Sequence, residues 1–367
     1  MQIIFLGTAS CFPTYHRGVS CLALRHEDGS VWIFDCGEGS QVQLQRSCVR
    51  PGKITKIFIT HLHGDHLFGL PGLIATISTQ ASFKSDFILD IYGPQGLRQF
   101  VRQSLYLSRS ELPFKFKVHE LIPESYQLPK DWDKWKPDLV SGSPHPQELL
   151  GDSISAQNDA WTVIAKVKGK TSVLAGHNEH LRIPSFGYVI EEPDLSGKLD
   201  VDKLASMKIP PGNVYSRLKQ GEDVTFDGNL VRSKDVVGSP KKGRKITIMG
   251  DTCNSDRMIK LALNSDALVH ESTLENYMLE NALEKGHSTP GMAAKYAHEI
   301  SARNLILTHF SQRYRATSEE EGPTVDILRK EAEASLSELG NTSCKVHLAH
   351  DLLEFSVKRT LIVIQDG

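Results

Sequence analysis

Short β-branched and aromatic runs recur along the chain, and each stops at a glycine or a cluster of polar residues. Residues 2–6 form the first such run and end at Gly7. Ser20–Leu24 and Val31–Phe34 are two more such runs, with Glu27-Asp28-Gly29 between them, which predicts a hairpin. Asp35-Cys36-Gly37-Glu38-Gly39 follows at a strand end, and Ser40–Ser47 has amphipathic helical spacing. Lys56-Ile57-Phe58-Ile59-Thr60 reads as a buried strand that hands the chain to the loop His61-Leu62-His63-Gly64-Asp65-His66. Behind that loop Gly69-Leu70-Pro71-Gly72-Leu73 opens an apolar helix. Residues 88–92 predict a strand ending at Gly93-Pro94, and 95–107 a helix. The pattern returns later: 245–249 ends in Gly250-Asp251-Thr252, 266–269 in His270-Glu271-Ser272, 305–308 in His309, and a last helix covers 319–339. Strands alternating with helices after early hairpins predict an α/β fold with a mixed sheet.

Two stretches depart from this rhythm. Residues 122–160 carry Pro123, Pro129, Pro137, Pro144 and Pro146 with Trp132 and Trp135 and no period, and read as a loop insertion ordered in part by the tryptophans. Residues 192–236 contain a short helix near 200–206, the break Pro210-Pro211-Gly212, and a hairpin over 222–232 with Asp227-Gly228 as its turn. This second stretch is polar and poor in core residues, so it is expected to project. Lys198, Lys203, Lys208, Arg217 and Lys219 lie on it among interspersed acids. A solvated surface hairpin is the plain alternative to a binding role.

Bulk properties narrow the class. A chain of 367 residues with 40% hydrophobic and 23% charged residues is neither disordered nor membrane-embedded, and can bury a full core. The net charge of −2 supplies no global attraction for nucleic acid, so a polyanion needs a local patch. Six cysteines without CxxC pairing read as reduced thiols, and Met1–Gly7 lacks the features of a signal peptide. Both lead to the expectation of a cytosolic protein, possibly entering the nucleus, with no membrane partner.

The candidate chemistry stands at strand ends, where open α/β sheets place their sites. Three imidazoles and a carboxylate within six positions, straight after an apolar strand, point to metal, with donors enough to start two sites. Two clustered ions need a bridging anion. Asp251 fits, although an aspartate there also serves as a helix N-cap. His309 is a further candidate ligand. Two zinc ions lower the pKa of a shared water and clamp attacking and leaving oxygens, chemistry suited to phosphodiesters, amides and thioesters. His287, its ring held by Glu271, is a candidate general acid.

As a set these stretches resemble the metallo-β-lactamase superfamily and, within it, short-form tRNase Z, the tRNA 3′-processing endoribonucleases related to bacterial RNase Z. The resemblance rests on Phe34–Gly39, Phe58–His66 with Gly69-Leu70-Pro71-Gly72, Ile183-Pro184-Ser185-Phe186-Gly187-Tyr188, Gly250-Asp251-Thr252, His270–Thr273, His287-Ser288-Thr289 and Thr308-His309-Phe310-Ser311, co-linear over most of the chain outside 122–160. It implies an αββα four-layer sandwich over residues 1–367, with 192–236 inserted as a flexible arm that grips tRNA, usually from the other subunit of a homodimer. It implies two zinc ions per subunit. His61 and His63 would bind the first, Asp65, His66 and His309 the second, with Asp251 bridging. Asp65 is also a candidate to orient or deprotonate the attacking water, and His287 with Glu271 would protonate the leaving 3′-oxygen. The substrate implied is precursor tRNA, read by shape, whose 3′ trailer is removed to leave a 3′-hydroxyl.

Three departures accompany the resemblance. The family's remaining first-zinc histidine falls at Leu181 here. His180, through a one-residue bulge, is the expected replacement, with His177 as the alternative. Residues 166–179 also look longer than the family's strand. The arm has Gly212-Asn213 where Gly-Pro is usual, and Pro13–Gly18 lacks the Lys and Asn with which some members sense a 3′-CCA end. The rival readings are a superfamily hydrolase of a small phosphodiester or thioester, and a non-catalytic RNA-binding homologue.

Overall fold

The computed structural model describes all residues except 80–85, 136–141, 317–321 and 361–367. Backbone contacts divide it into two compact units. The larger comprises Met1–Ala165, Val173–Ile190 and Lys245–Val357. The smaller comprises Lys166–Ser172, Glu191–Arg244 and the segment from Lys358.

In the larger unit, antiparallel pairing runs from Glu354–Ser356 through Gln2–Gly7 and Cys21–Arg25 to Val31–Phe34. Parallel pairing then continues through Ile54–Phe58 and Ile88–Pro94 to Lys115–Leu121. The second sheet places Ala160–Ile164, Ser172–Asn178 and Ser185–Glu191 beside the parallel run Lys245–Ile248, Ala267–Glu271, Asn304–Thr308 and Lys345–Leu348.

Three buried clusters show how the layers stack. Phe5, Phe34, Phe58 and Tyr92 of the first sheet meet Trp161, Phe186, Tyr188 and Ile248 of the second, forming the inner core. Phe34 and Tyr92 stack on the two sides of Phe58 at centroid distances of 4.7 and 5.0 Å. Helices Ser40–Arg46, Leu70–Ser78 and Leu97–Leu107 cover the outer face of the first sheet through Leu44, Ile74 and Val101. Helices Pro290–Glu299 and Asp326–Glu338 cover the second through Ala294, Ala297 and Leu328. This is the expected αββα sandwich. It follows from strands that are apolar on both faces, since each sheet lies between a second sheet and a helix layer.

Several expectations shift. The last helix starts at Asp326, because Gly322-Pro323 stands before it and proline keeps its predecessor out of helical geometry. Part of its expected span, 319–321, lies outside the described residues. The 122–160 stretch is more than loop. Glu148–Leu149 and Ser153–Ile154 pair parallel with Lys115–Leu121, and Trp132–Trp135 forms one helical turn. Backbone pairing of two-residue strands leaves no hydrophobic period to read. The indole of Trp161, next in the chain, is fully buried and donates to the carbonyl of Ile122 at 2.8 Å. All six cysteines are free thiols, and no helix among the described residues is long and apolar enough to cross a membrane.

The smaller unit has its own core, contrary to the reading of 192–236 as poor in core residues. Helices Val201–Ser206 and Asn213–Lys219 and the hairpin Val224–Phe226/Asn229–Val231 bury Leu204, Ile209, Leu218, Val224, Val231 and Val236. These apolar residues are few, but each sits where two short elements meet. The outgoing and returning segments run side by side, with antiparallel bridges Leu195–Lys241 and Leu199–Val237, and a Cβ at Gly197 would overlap the carbonyl of Gly238. Beside them lies a buried ion triad. Glu192 accepts from Arg244 at 2.6 and 2.9 Å and pairs with Arg359 at 2.8 Å.

Removing one member of such a triad strands buried charge. Glu192→Ala is expected to destabilise the smaller unit by about 3–5 kcal/mol. Amide hydrogen exchange across 200–236 checks this: protection should fall there and persist in the two sheets.

Candidate metal centre

The strand Ile54–Phe58 is held on both sides by parallel neighbours, so its carboxyl end is fixed. Ile59 continues the pairing by donating to Tyr92, and its carbonyl accepts from the Tyr188 hydroxyl at 2.7 Å. The chain then turns through His61–His63 into the single helical turn Gly64–Leu67, which presents Asp65 and His66.

Asp35 secures this loop. It follows the neighbouring strand in left-handed conformation, φ 58°, and its amide donates to Phe58. Its carboxylate accepts from the Thr60 amide at 2.7 Å and lies 2.7 Å from His66 Nδ1. Two glycines make the approach possible: a Cβ at Gly37 would overlap the carbonyl of Asp65, and one at Gly69 the carbonyl of Gly37.

Two donor sets converge. His61, His63 and His180 form one, with His180 Nε2 3.1 Å from His63 Nδ1. Asp65, His66, Asp251 and His309 form the other, with His66 Nε2 and His309 Nε2 3.4 Å apart. Asp251 faces both. Its Oδ1 is 3.2 Å from His66 Nε2 and 3.3 Å from His309 Nε2, and its Oδ2 is 3.7 Å from His61 Nε2.

These residues fit metal by their outer contacts. His61 Nδ1 meets the Thr60 hydroxyl at 3.0 Å, His309 Nδ1 the Thr273 hydroxyl at 3.0 Å, and His180 Nδ1 the Gly286 carbonyl at 2.7 Å. Each ring is thereby oriented, as metal-ligating histidines are, with Nε2 turned inward. His61 Nε2 is buried with no hydrogen-bond partner, which is costly unless an ion takes its lone pair. Nitrogen and carboxylate donors of this kind suit zinc.

The electrostatics agree. Burial, reinforced by His66, drives His61 well below the ordinary imidazole range, and burial with His180 brings His63 down to about 4. Both are therefore neutral and able to ligate. Burial also pushes His66 down, but Asp251, Asp35 and Asp65 outweigh it and raise its pKa well above normal. Burial opposes the charge of Asp251, yet His309, His66 and His61 hold it ionised.

Behind Asp251 stands the pair expected as general acid. His287 Nδ1 lies 3.2 Å from Glu271 Oε1 and 3.7 Å from Asp251 Oδ2. Glu271 is fixed by the amides of Thr252 and Ser288 at 2.8 and 3.0 Å. Burial disfavours the imidazolium, but Glu271 outweighs it and brings the His287 pKa up to about 9.

His180, not His177, completes the first set. His177 is buried at the end of the strand Ser172–Asn178 and meets the ring of Tyr126 at 5.4 Å. Two residues after His180, Arg182 takes left-handed geometry at φ 75°, and the strand leading to His180 shifts register between Val173 and Leu174. The added length of 166–179 lies in the connection between Ala160–Ile164 and Ser172–Asn178. Lys198, Lys203, Lys208, Arg217 and Lys219 are exposed on the smaller unit. Lys203 Nζ donates to the Asp235 carbonyl at 2.7 Å, and Arg217 pairs with Glu222 at 2.8 Å.

Sequence reasoning assigned no role to Asp35, Thr60 or Thr273, which orient the rings. A strand-end aspartate before Cys36-Gly37 was the available signal for the first; nothing local marks Thr273. It also missed Arg182, Lys285 and Phe68, which wall the cleft onto which His63, Asp65, His180, Asp251 and His287 open.

A family model described as anti-Pycsar protein Apyc1 matches residues 1–111. Human zinc phosphodiesterase ELAC protein 1 is 42% identical over 364 residues, 97% of this chain and 98% of that protein. Ribonuclease Z of Enterococcus faecalis is 40% identical over 316 residues, covering 86% and 88%. Among solved structures, human tRNase Z, short form (ELAC1), superposes with a TM-score of 0.65 at 34% identity, covering 98% of this chain and all of that one. The metallo-β-lactamase fold protein YhfI of Bacillus subtilis, 16% identical with a TM-score of 0.54 over 96% and 98% of the chains, shares the fold. With its full-length likeness to these enzymes and a centre built on the strand ends of a metallo-β-lactamase fold, the chain belongs to the short-form tRNase Z family of zinc phosphodiesterase ELAC protein 1 and ribonuclease Z.

Proposed function

We propose that this protein is a zinc-dependent endoribonuclease that removes the 3′ trailer of precursor tRNA and leaves a 3′-hydroxyl on the tRNA. The observation that carries this reading is the placement of Asp251, with one oxygen toward each donor set. His61, His63 and His180 would hold one zinc ion; Asp65, His66 and His309 the other; Asp251 would bridge. When bound, the two ions supply a water of lowered pKa and stabilise charge on the phosphoryl oxygens.

The chain's own groups do the rest. Asp65 is aimed by the Cys11 amide, which donates to its Oδ2 at 2.7 Å, and takes the proton of the attacking water. His287, which Glu271 holds at 3.2 Å and favours as the imidazolium against the cost of burial, delivers a proton to the leaving 3′-oxygen. Arg182 and Lys285 at the cleft wall attract the RNA backbone.

The exposed cations Lys198, Lys208 and Lys219, with Lys203 and Arg217, make the smaller unit the tRNA-gripping arm in this reading. Acids among them keep the contact modest and salt-sensitive. A homodimer in which one subunit's arm serves the other's site belongs to the same reading, as does a cytosolic location.

Elemental analysis should give two zinc ions per chain. His66→Ala should lose about one of them and reduce cleavage to background while pre-tRNA binding largely persists; full cleavage in that variant would end the two-metal account. His287→Ala should lower kcat on pre-tRNA about 10²–10⁴-fold. The same variant should lose far less on a p-nitrophenyl phosphodiester, whose leaving group needs no proton; equal losses would reject the general-acid role. Replacing 200–236 by two glycines exploits the adjacency of Leu199 and Val237. That variant should raise KM for pre-tRNA about tenfold or more, and change hydrolysis of a small phosphodiester much less. Such a loss is what release of a few phosphate contacts produces. Equal effects on both substrates would remove the arm from the reading.

A further inference from the structure

A second cleft lies beside the metal centre, and the function proposed above leaves it unused. The ligand loop forms part of its wall: Leu62 lines this cleft, whereas the next residue, His63, lines the metal cleft. Arg182 lines both. The opposite wall comes from the 122–160 stretch, which supplies Trp132, and the floor from the start of the helix Leu97–Leu107, with Gln95 and Gln99. Trp132, Leu62, Gln95 and Gln99 are all half-buried. Among the described residues neither glutamine side-chain amide has a hydrogen-bond partner, although the Gln95 backbone amide donates to Leu121 at 3.0 Å.

We propose that this cleft is a nucleobase subsite. It takes a base of the single-stranded trailer next to the scissile phosphodiester, an assignment that rests on the endoribonuclease reading. Every base offers a π-face, and a half-buried indole is a stacking surface for it. The two amides each present a donor and an acceptor, as a base edge requires. The exposed carboxylate of Asp131 at the same cleft repels phosphate, so the base and not the backbone occupies it. The phosphate stays at Arg182, on the wall shared with the metal cleft. The occupant is trailer and not stem because the bases of a paired stem are stacked and turned inward, whereas unpaired nucleotides can be splayed out.

The test uses pre-tRNAs that differ only by one abasic nucleotide, placed at the first or second trailer position or at the last nucleotide of the tRNA. Each is assayed with zinc-loaded wild type, Trp132→Ala, Trp132→Phe and Gln99→Ala, after zinc content confirms an intact centre. Wild type should lose about tenfold in kcat/KM on one of the abasic trailers, in line with one stacked base. Trp132→Ala should treat intact and abasic trailers alike, at the lower value. Trp132→Phe should keep most of the preference and Gln99→Ala part of it. The proposal is overturned if wild type shows no preference, if Trp132→Ala keeps it in full, or if the lost preference concerns the tRNA-side nucleotide. A wild-type protein that binds these RNAs and cuts none refutes the nuclease reading instead. Dissociation constants for the uncut substrates then decide the cleft by the same comparison, with equal values for intact and abasic trailers overturning it.

Discussion

Asp251 sits buried among imidazoles that approach from two sides, and the centre depends on that arrangement. An ionised carboxylate in so dry a place is unfavourable unless positive charge meets it. His66 and His309 face one oxygen; His61 faces the other. In turn the charge on Asp251 opposes the neutralisation that burial imposes on the rings. The cluster is mutually compensated and would be strained without a cation. That is the physical sense in which the fold specifies metal.

The scaffold makes this compensation rigid. Val31–Phe34, Ile54–Phe58, Lys245–Ile248, Ala267–Glu271 and Asn304–Thr308 are buried strands that cannot slide without moving apolar side chains into water. Each presents site groups at or just beyond its carboxyl end: Asp35, the histidine loop, Asp251, Glu271 with Thr273, and His309. Two of these, Asp35 and His309, lie in left-handed geometry without being glycine, at φ 58° in each case. Such strain persists where surrounding structure over-determines it, and here the bond from the Asp35 amide to Phe58 and the bond from the Thr273 hydroxyl to the His309 carbonyl do so.

The main strands and both hairpins were legible in the sequence, because short apolar runs ended by turn residues have few other solutions. So were His61, His63, Asp65, His66, Asp251 and His309, since donors in such numbers at strand ends have few structural uses. The pairing of Glu271 with His287 was legible as an expectation and is met at 3.2 Å. What escaped was whatever depends on meetings between distant segments. The core of the smaller unit is six scattered apolar residues, none of them periodic. The edge strands of 122–160 are two residues long. Thr273 and Arg182 acquire meaning only from where His309 and the ligand loop come to rest.

The order of these segments along the chain gives the Asp35–His66 contact a temporal meaning. Proteins emerge from the ribosome amino end first, and domains assemble as their parts become available. The strand pair that orients His66 is made early, within a parallel pairing of near neighbours in sequence. His180, Asp251 and His309 follow much later. A nascent chain therefore carries a shaped ligand loop with incomplete donor sets for much of its synthesis: two of three donors in one set before His180, and two of four in the other before Asp251. Tight capture of an ion is deferred until the second sheet is built, which couples metal acquisition to completion of the fold and spares the unfinished chain from being locked by the wrong cation.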